Sequence, residues 1–196
     1  MDAPVYEGSL FSDEAITEPY TRYREIRDLA PVVWLASEEV YATGRYDEVR
    51  TALADHETFI SGEGVNLNEQ ANMMSRGTTV ASDPPLHDHL RGVGAHRLTP
   101  RALRDQRGHV DSVAESVVQS VLGHGDEVID AVPVIAEAMP LAVVPDFLGF
   151  PEECRPHLLD WAKASVDLGG PPSDRTPEAA VHAGELVQYI LKLTET

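Results

Sequence analysis

The strongest constraint on the fold is a long amphipathic helix in the middle of the sequence. Seven apolar residues recur at intervals of three and four, which is the spacing of one face of an α-helix. They are Val110, Val113, Ala114, Val117, Val118, Val121 and Leu122. Thr99 and Pro100 precede this run as a capping hydroxyl and a first-turn proline, and Gly123 follows it as a helix end. The sequence therefore predicts a mainly helical protein.

Shorter runs with helical spacing predict further helices on both sides of this one. Their expected positions are 18–30, 46–54, a helix starting at 83, 132–148, 151–168 and 176–196. Asp83, followed by two prolines, is interpreted as a capping carboxylate. The apolar face of 151–168 is predicted as Leu158, Leu159, Ala162 and Val166, and that of the last helix as Val181, Gly184, Val187, Gln188 and Leu191.

A small β-element is predicted near the amino terminus. Residues 32–35 and 40–43 are rich in β-forming side chains, and the polar residues 36–39 separate them, which is typical of a hairpin. Residues 1–17 are expected to form a loosely packed arm. The predicted fold class is mainly α with a small β-hairpin or sheet on the amino-terminal side.

Residues 60–82 have a different composition from their neighbours. They contain Gly62, Gly64 and Gly77, three asparagines and two methionines, with few periodic apolar residues. We predict a long irregular loop here. Loops of this length are uncommon inside compact domains and are often functional.

The charge balance argues against two classes of partner. The chain has 33 acidic and 15 basic side chains, for a formal net charge of −18, whereas nucleic acids and anionic membranes attract basic surfaces. No signal peptide is recognisable, and no apolar run approaches the roughly 18 residues that span a bilayer. The single cysteine, Cys154, cannot form a disulfide within its own chain. We expect a soluble cytoplasmic protein that binds neither nucleic acid nor membrane.

Two side chains after Asp83 form a candidate clamp for an anion. His87 and Arg91 are four residues apart, and so share one face of a helix, with the small Gly94 one turn further. Guanidinium groups bind carboxylates through two parallel hydrogen bonds, so the pair suits a planar anionic ligand. An ordinary solvated helix face is the alternative interpretation.

A metal site is a second possibility in the same segment. His87, His89 and His96 lie close together in sequence, with Asp88 between the first two. A chelating pair on a helix is spaced i, i+4, whereas His87 and His89 would point in nearly opposite directions. A metal-dependent hydrolase using these histidines is therefore kept only as an alternative. Cys154 is interpreted as a bystander thiol.

The order of several short motifs resembles the amino-terminal half of bacterial cytochromes P450. The central motif is Asp83-Pro84-Pro85-Leu86-His87-Asp88-His89-Leu90-Arg91, followed by Thr99-Pro100. The flanking motifs are Ala30-Pro31-Val32-Val33-Trp34, Tyr41-Ala42-Thr43-Gly44-Arg45-Tyr46, Phe59-Ile60-Ser61-Gly62 and Leu148-Gly149-Phe150-Pro151-Glu152-Glu153. The resemblance extends over about residues 18–196.

The resemblance implies a role for each matching segment of the 18–196 domain. His87 and Arg91 match helix residues that bond a haem propionate. Residues 62–82 match the substrate-covering loop, in which Met73, Met74, Ser75 and Arg76 would line the pocket. Residues 83–125 match the haem-side and following helices, and 151–196 match the lid helices.

The implied function is that of a haem-thiolate monooxygenase. It would oxidise a small organic substrate with O2 and with electrons from a ferredoxin-type partner. Family members are about twice as long, so the chain is expected to be a truncated fragment that lacks the haem-ligating cysteine. Cys154 matches the start of a lid helix and cannot substitute for it. We expect weak or absent haem binding, no activity and low stability for the chain alone. A non-catalytic helical binding or regulatory module derived from such an enzyme is the remaining alternative.

Overall fold

The computed structural model describes residues 3–194 and is mainly helical with one small sheet, which confirms the predicted fold class. The strands are β1 (Val5–Tyr6), β2 (Val33–Leu35) and β3 (Val40–Ala42). The α-helices are α1 (Asp13–Thr17), α2 (Tyr20–Leu29), α3 (Tyr46–Ala54), α4 (Glu69–Ser75), α5 (Leu86–Ala95), α6 (Pro100–Gly123), α7 (Ala138–Leu148), α8 (Leu158–Gly169) and α9 (Thr176–Thr194). Short 3₁₀ helices cover His96–Leu98 and Glu152–His157, and a π-helix covers Val132–Glu137.

The sheet contains the predicted hairpin and one additional strand. β2 pairs antiparallel with β3, with Trp34 opposite Tyr41, and β1 pairs parallel with β2. Strand β1 comes from the segment that was expected to be a loosely packed arm. That expectation is wrong, because backbone hydrogen bonds from Trp34 to Pro4 (2.9 Å) and from Ala36 to Tyr6 (3.1 Å) bind the segment to β2.

Side chains of this segment are anchored as well. The Tyr6 hydroxyl donates to Oε2 of Glu25 at 2.6 Å, and Ala15 is buried. Partial burial, together with the neighbouring Glu25 carboxylate, raises the pKa of Tyr6 to about 12. Residues 3–17 are therefore part of the folded structure.

The chain forms two compact units. The first contains the residues up to Asp88 together with Leu168–Asp174, and the second contains His89–Asp167 and the residues from Arg175 onward. The core of the first unit consists of the buried side chains of Ile26, Val33 and Leu35. The partly buried side chains that pack against it are Tyr6, Leu10, Ala30, Val40 and Ala42.

Several helix boundaries agree with the predictions from local signals. Helix α3 spans the predicted residues 46–54. Helix α6 begins at Pro100, and Oγ1 of Thr99 accepts the backbone N–H of Ala102 at 3.3 Å. Helix α7 ends at Leu148 because Gly149 takes a left-handed conformation, with φ of 74°.

Two predicted helices begin with other helix types. The expected helix 132–148 opens with the π-helix before α7, and 151–168 opens with the 3₁₀ helix before α8. Pro156 lies within this 3₁₀ helix and has no N–H to donate to the carbonyl four residues earlier. The α-helical hydrogen-bond pattern therefore starts only at Leu158.

The predicted irregular loop contains a helix. Helix α4 forms because Oδ1 of Asn68 accepts the backbone N–H groups of Gln70 (2.9 Å) and Ala71 (3.4 Å). Glu69 adds a negative charge to its first turn, where the helix dipole favours one. Prediction of an entirely irregular loop is therefore wrong.

The buried faces of the last two helices differ from the predicted ones. Helix α8 buries Trp161, Ala164 and Leu168, whereas Ala162 and Val166 are exposed and Leu158 and Leu159 are half-buried. Helix α9 buries Ala179 and Ala183. Of its predicted face, Gly184 is half-buried and four residues are exposed, namely Val181, Val187, Gln188 and Leu191. Small residues allow α9 to pack closely, which a pattern of large apolar residues does not reveal. No helix within residues 3–194 is long and apolar enough to cross a membrane.

Candidate functional site

The loop before α5 is closed by three asparagine hydrogen bonds. Oδ1 of Asn72 accepts the backbone N–H groups of Val65 (3.0 Å) and Asn66 (2.9 Å), and its Nδ2 donates to the carbonyl of Asn66 at 3.0 Å. The Asn72 side chain comes from α4 and is nearly buried. It gives the backbone of a loop the partners that a strand or helix would otherwise supply.

Asp83 closes the base of the same loop. Its Oδ1 accepts the backbone N–H of Ser61 at 2.8 Å, and its Oδ2 accepts that of Gly62 at 2.7 Å. The expectation that this carboxylate caps α5 is therefore wrong. Pro84 and Pro85 have no N–H groups for it to accept, so the side chain bonds to amides 21 and 22 residues upstream.

Three further contacts complete this segment, which we call the pinned loop (residues 61–83). Arg76 and Ala81 form an isolated parallel β-bridge, and the Ser82 hydroxyl donates to the carbonyl of Thr78 at 2.6 Å. The backbone N–H of Leu67 donates to the carbonyl of Gly169 at 2.9 Å. The pinned loop is thus an ordered structure held mainly by polar contacts.

The four predicted substrate-binding residues lie together at the end of α4. Met73 and Met74 are 57% and 43% exposed. The Ser75 hydroxyl donates to the carbonyl of Asn72 at 3.2 Å, and the Arg76 guanidinium lies 4.0 Å from Glu69. About half of each methionine side chain is therefore exposed, and this surface is available to a ligand.

The two predicted clamp residues lie on one helix. α5 carries both, one turn apart, and they therefore share a helix face. Nδ1 of His87 lies 3.2 Å from Oδ1 of Asp88, which leaves Nε2 as the remaining hydrogen-bonding atom of the ring. The Arg91 side chain is exposed and makes no hydrogen bond or ion pair with residues 3–194. The Arg91 guanidinium thus has donors available for an anion, and Nε2 of His87 can also donate to one when both ring nitrogens carry a proton.

The alternative metal site gains no support from the geometry. Residues 3–194 contain no group of three or more histidine, cysteine, aspartate or glutamate side chains placed to hold a metal ion. The His96 ring is directed at the preceding helix α5, with Nδ1 3.0 Å from the carbonyl of Val93.

Cys154 is buried in the second unit. It is 1% exposed, and its thiol donates to the carbonyl of Pro151 at 3.0 Å. A buried and hydrogen-bonded thiol fits the interpretation as a bystander.

Sequence reasoning missed an ionic cluster in the second unit. Asp146 on α7 contacts the Arg155 guanidinium and lies 2.8 Å from Nε2 of His109 on α6, and Glu152 lies 3.0 Å from Nε of Arg155. The Asp146 carboxylate raises the pKa of Arg155. No local signal could identify this cluster, because its members come from three different elements.

The chain is mainly helical, with a small mixed sheet, a long ordered loop and a histidine–arginine pair on the helix that follows the loop. No protein-family model matches the chain. Cytochrome p450 CYP199A2 of Rhodopseudomonas palustris is 31% identical over 183 residues, which are 92% of this chain and 44% of the relative. The steroid C26-monooxygenase of Rhodococcus jostii is 24% identical over 96% of the chain and 43% of its own length. The chain spans less than half the length of these curated relatives.

Solved structures show the same fold relationship. The haem domain of CYP116B5 from Acinetobacter radioresistens matches with a TM-score of 0.79 and 22% identity, over 96% of this chain and 48% of that one. P450BioI, solved in complex with a fatty-acyl-loaded acyl carrier protein, matches with a TM-score of 0.75 and 19% identity, over 94% and 50%. By sequence and fold, the chain belongs to the bacterial cytochrome P450 family and corresponds to the amino-terminal half of its members.

The residues present are chemically suited to part of a haem site. Haem carries two carboxylates, and α5 offers a half-buried imidazole and an exposed guanidinium with no protein partner among residues 3–194. These two side chains would hold the carboxylate edge of the cofactor. Cys154, the one cysteine of the sequence, has a buried thiol that donates to the carbonyl of Pro151.

Proposed function

We propose that this chain forms the amino-terminal part of a monooxygenase that oxidises a small organic molecule with O2, with electrons from a ferredoxin-type partner. The observation that carries the proposal is the position of His87 and Arg91 on α5, directly after the pinned loop, in a chain with the P450 fold. The relative named as a steroid C26-monooxygenase is consistent with this class of reaction.

The proposed task of α5 is to bind the cofactor. Haem, when bound, supplies the oxygen chemistry, and the protein supplies its orientation. The Arg91 guanidinium would donate two parallel hydrogen bonds to a haem carboxylate, and His87, with both ring nitrogens protonated, would donate from Nε2. Such charge-assisted bonds are roughly twice as strong as neutral ones and fix the cofactor in rotation.

The proposed task of the pinned loop is to contact the substrate. Met73 and Met74 present flexible and polarisable side chains, which adapt to apolar molecules of different shape. Ser75 and Arg76 add a hydroxyl and a positive charge at the end of α4, which would orient a polar group of the substrate. We further propose that the helices of residues 151–194 act as the lid that excludes water from the substrate.

We also propose that these 196 residues by themselves do not form a haem-thiolate centre. A thiolate ligand to the iron is needed to favour cleavage of the O–O bond. The sequence contains one cysteine, and its thiol is enclosed and bonded to a backbone carbonyl. The isolated chain should therefore bind haemin only weakly, through the two carboxylates of the haemin. It should show no monooxygenase activity.

Haemin titration of the purified chain, followed by absorbance, tests the clamp. Replacing Arg91 by alanine should weaken haemin binding about tenfold, because one charge-assisted pair is lost. The matched control is Arg97→Ala, which removes an exposed arginine from the 3₁₀ helix just after α5 and should leave the affinity unchanged.

Two outcomes would contradict the proposal. Equal haemin affinities for the Arg91→Ala and Arg97→Ala variants would remove the clamp and would favour a non-catalytic helical module. A reduced, CO-bound spectrum with the thiolate-type Soret band in the isolated chain would show that Cys154 does ligate iron.

A further inference from the structure

Asp83 makes contacts in two directions, and the family resemblance assigns it neither. Its carboxylate accepts the backbone N–H groups of Ser61 and Gly62, and its own carbonyl accepts the N–H of His87 at 3.0 Å. All four residues belong to the first compact unit. One residue therefore touches both the base of the pinned loop and the first turn of α5.

The neighbouring sequence explains why this carboxylate is free to reach across the loop. An aspartate before a helix normally accepts N–H groups of the first turn. Pro84 and Pro85 occupy the next two positions and have no N–H. Two N–H donors of the first turn are therefore missing, and the Asp83 side chain instead accepts two amides of the loop at short distances.

Gly62 is adapted to the same contact. A Cβ atom added at this position would lie 2.6 Å from Oδ2 of Asp83, closer than any non-bonded contact allows. Any other residue at 62 would displace the carboxylate or the loop backbone. The close approach of the two segments thus depends on both residues.

We propose that Asp83 is a positioning residue that couples the base of the pinned loop to the helix turn carrying His87. It holds the loop entrance and the imidazole in a fixed relation, so that ordering of one is transmitted to the other. The part of this inference that concerns haem rests on the proposed function. The mechanical part rests only on the contacts of residues 61, 62, 83 and 87.

Amide hydrogen exchange measured by NMR on the full chain tests the mechanical part. Asp83→Asn keeps the size of the side chain but places an NH2 group against one of the two N–H donors. We expect exchange at Ser61 and Gly62 to become about tenfold faster, because their hydrogen bonds to the side chain are weakened and local opening needs less free energy. The His87 N–H keeps its bond to the backbone carbonyl of residue 83, so the faster exchange that we also expect there reports the coupling. Gly62→Ala should produce the same pattern from the opposite side of the contact. The control Glu63→Gln removes an equal charge beside Gly62 and should leave all three rates unchanged.

Haemin addition tests whether ordering at His87 is transmitted through Asp83 to the base of the pinned loop. In the unaltered chain, bound haemin should slow exchange at Ser61 and Gly62, although neither is expected to touch it. Asp83→Asn should abolish this protection while a measurable haemin affinity remains. A general loss of folding is recognised from the far-ultraviolet circular dichroism spectrum, and in that case Gly62→Ala provides the decisive comparison.

The outcomes separate the two proposals. Unchanged exchange at Ser61 and Gly62 in both variants, or faster exchange there with no change at His87, overturns the positioning role. Haemin protection that persists in Asp83→Asn overturns the transmission even if the loop has opened. Absence of haemin binding in the unaltered chain overturns the clamp instead, and the exchange rates without haemin still decide the role of Asp83.

Discussion

The core of the first unit and helix α6 show opposite relations between sequence pattern and packing. Ile26, Val33 and Leu35 come from a short helix and a three-residue strand, yet each is at most 3% exposed. Helix α6 has the clearest apolar periodicity of the chain, yet none of its 24 residues is buried. Regular spacing therefore predicts that a helix forms, whereas burial depends on what the rest of the fold brings against it.

The pinned loop differs from both regions, because side-chain hydrogen bonds to its backbone keep it ordered. Its backbone has no regular pattern over most of its length, and the side chains of Asn72 and Asp83 satisfy its amide groups instead. Such a segment is ordered by a few polar contacts, each of which matters more than a single exposed apolar residue does.

The largest expected difference in stability is between a substitution in the core of the first unit and a substitution on α6. Ile26→Ala should lower the free energy of unfolding by about 2–5 kcal/mol, because it leaves a cavity among buried neighbours. Leu122→Ala, at a position that is 66% exposed on α6, should cost less than about 0.5 kcal/mol. Urea denaturation followed by circular dichroism measures both. Similar losses for the two variants would remove the contrast between these regions.

The second largest loss of stability is expected for a substitution in the pinned loop. Asn72→Ala removes three hydrogen bonds and should destabilise the chain by about 1–3 kcal/mol, because the amides of Val65 and Asn66 lose their partners. The neighbouring Met73→Ala serves as the control and should cost below about 0.5 kcal/mol, since that side chain is 57% exposed. Urea denaturation measures both variants. Equal losses of stability for Asn72→Ala and Met73→Ala would mean that packing rather than hydrogen bonding orders the loop.

Helix α6 should depend on its local start signal more than on any one apolar residue. Thr99→Ala should cost about 1 kcal/mol, because the N–H of Ala102 loses its side-chain acceptor. Thr99→Ser keeps a hydroxyl and should retain most of that stability. Helicity and urea midpoints compare the variants, and a Thr99→Ala loss smaller than that of Leu122→Ala would contradict this view of α6.

The smallest effect is a pH dependence on helix α9. Nδ1 of His182 lies 3.0 Å from Oε2 of Glu185, and this hydrogen bond raises the pKa of His182 and lowers that of Glu185. The histidine contribution is complete below its ordinary pKa of 6.5 and is lost as pH rises through the raised value. The glutamate contribution is present above its ordinary pKa of 4.5 and is lost as pH falls through the lowered value.

The pair should therefore stabilise α9 most between about pH 4.5 and 6.5. Urea midpoints measured across this range should show a small maximum that Glu185→Gln removes. If the urea midpoints of the unaltered chain and of Glu185→Gln differ by the same amount at every pH, the ion pair does not contribute to stability.

Much of the helical framework could be predicted from local sequence. The start of α6 and the end of α7 depend on Thr99, Pro100 and Gly149, each of which acts within about one helical turn. The family relationship was likewise carried by short motifs in order, and the comparisons confirm it. The placement of Met73, Met74, Ser75 and Arg76 against a substrate stays a prediction, as does that of His87 and Arg91 against haem.

Features that depend on distant partners were outside the reach of the sequence. The carboxylate of Asp83 bonds across 21 and 22 residues, and β1 joins a strand almost 30 residues away. The buried faces of α8 and α9 are set by the elements that pack on them, which a helical period cannot identify. Local rules act through the chain's own backbone within a turn, so sequence alone determined boundaries such as the start of α6 and the end of α7. Choosing which side chains meet requires closing long loops against conformational entropy, and only the complete tertiary structure decides that.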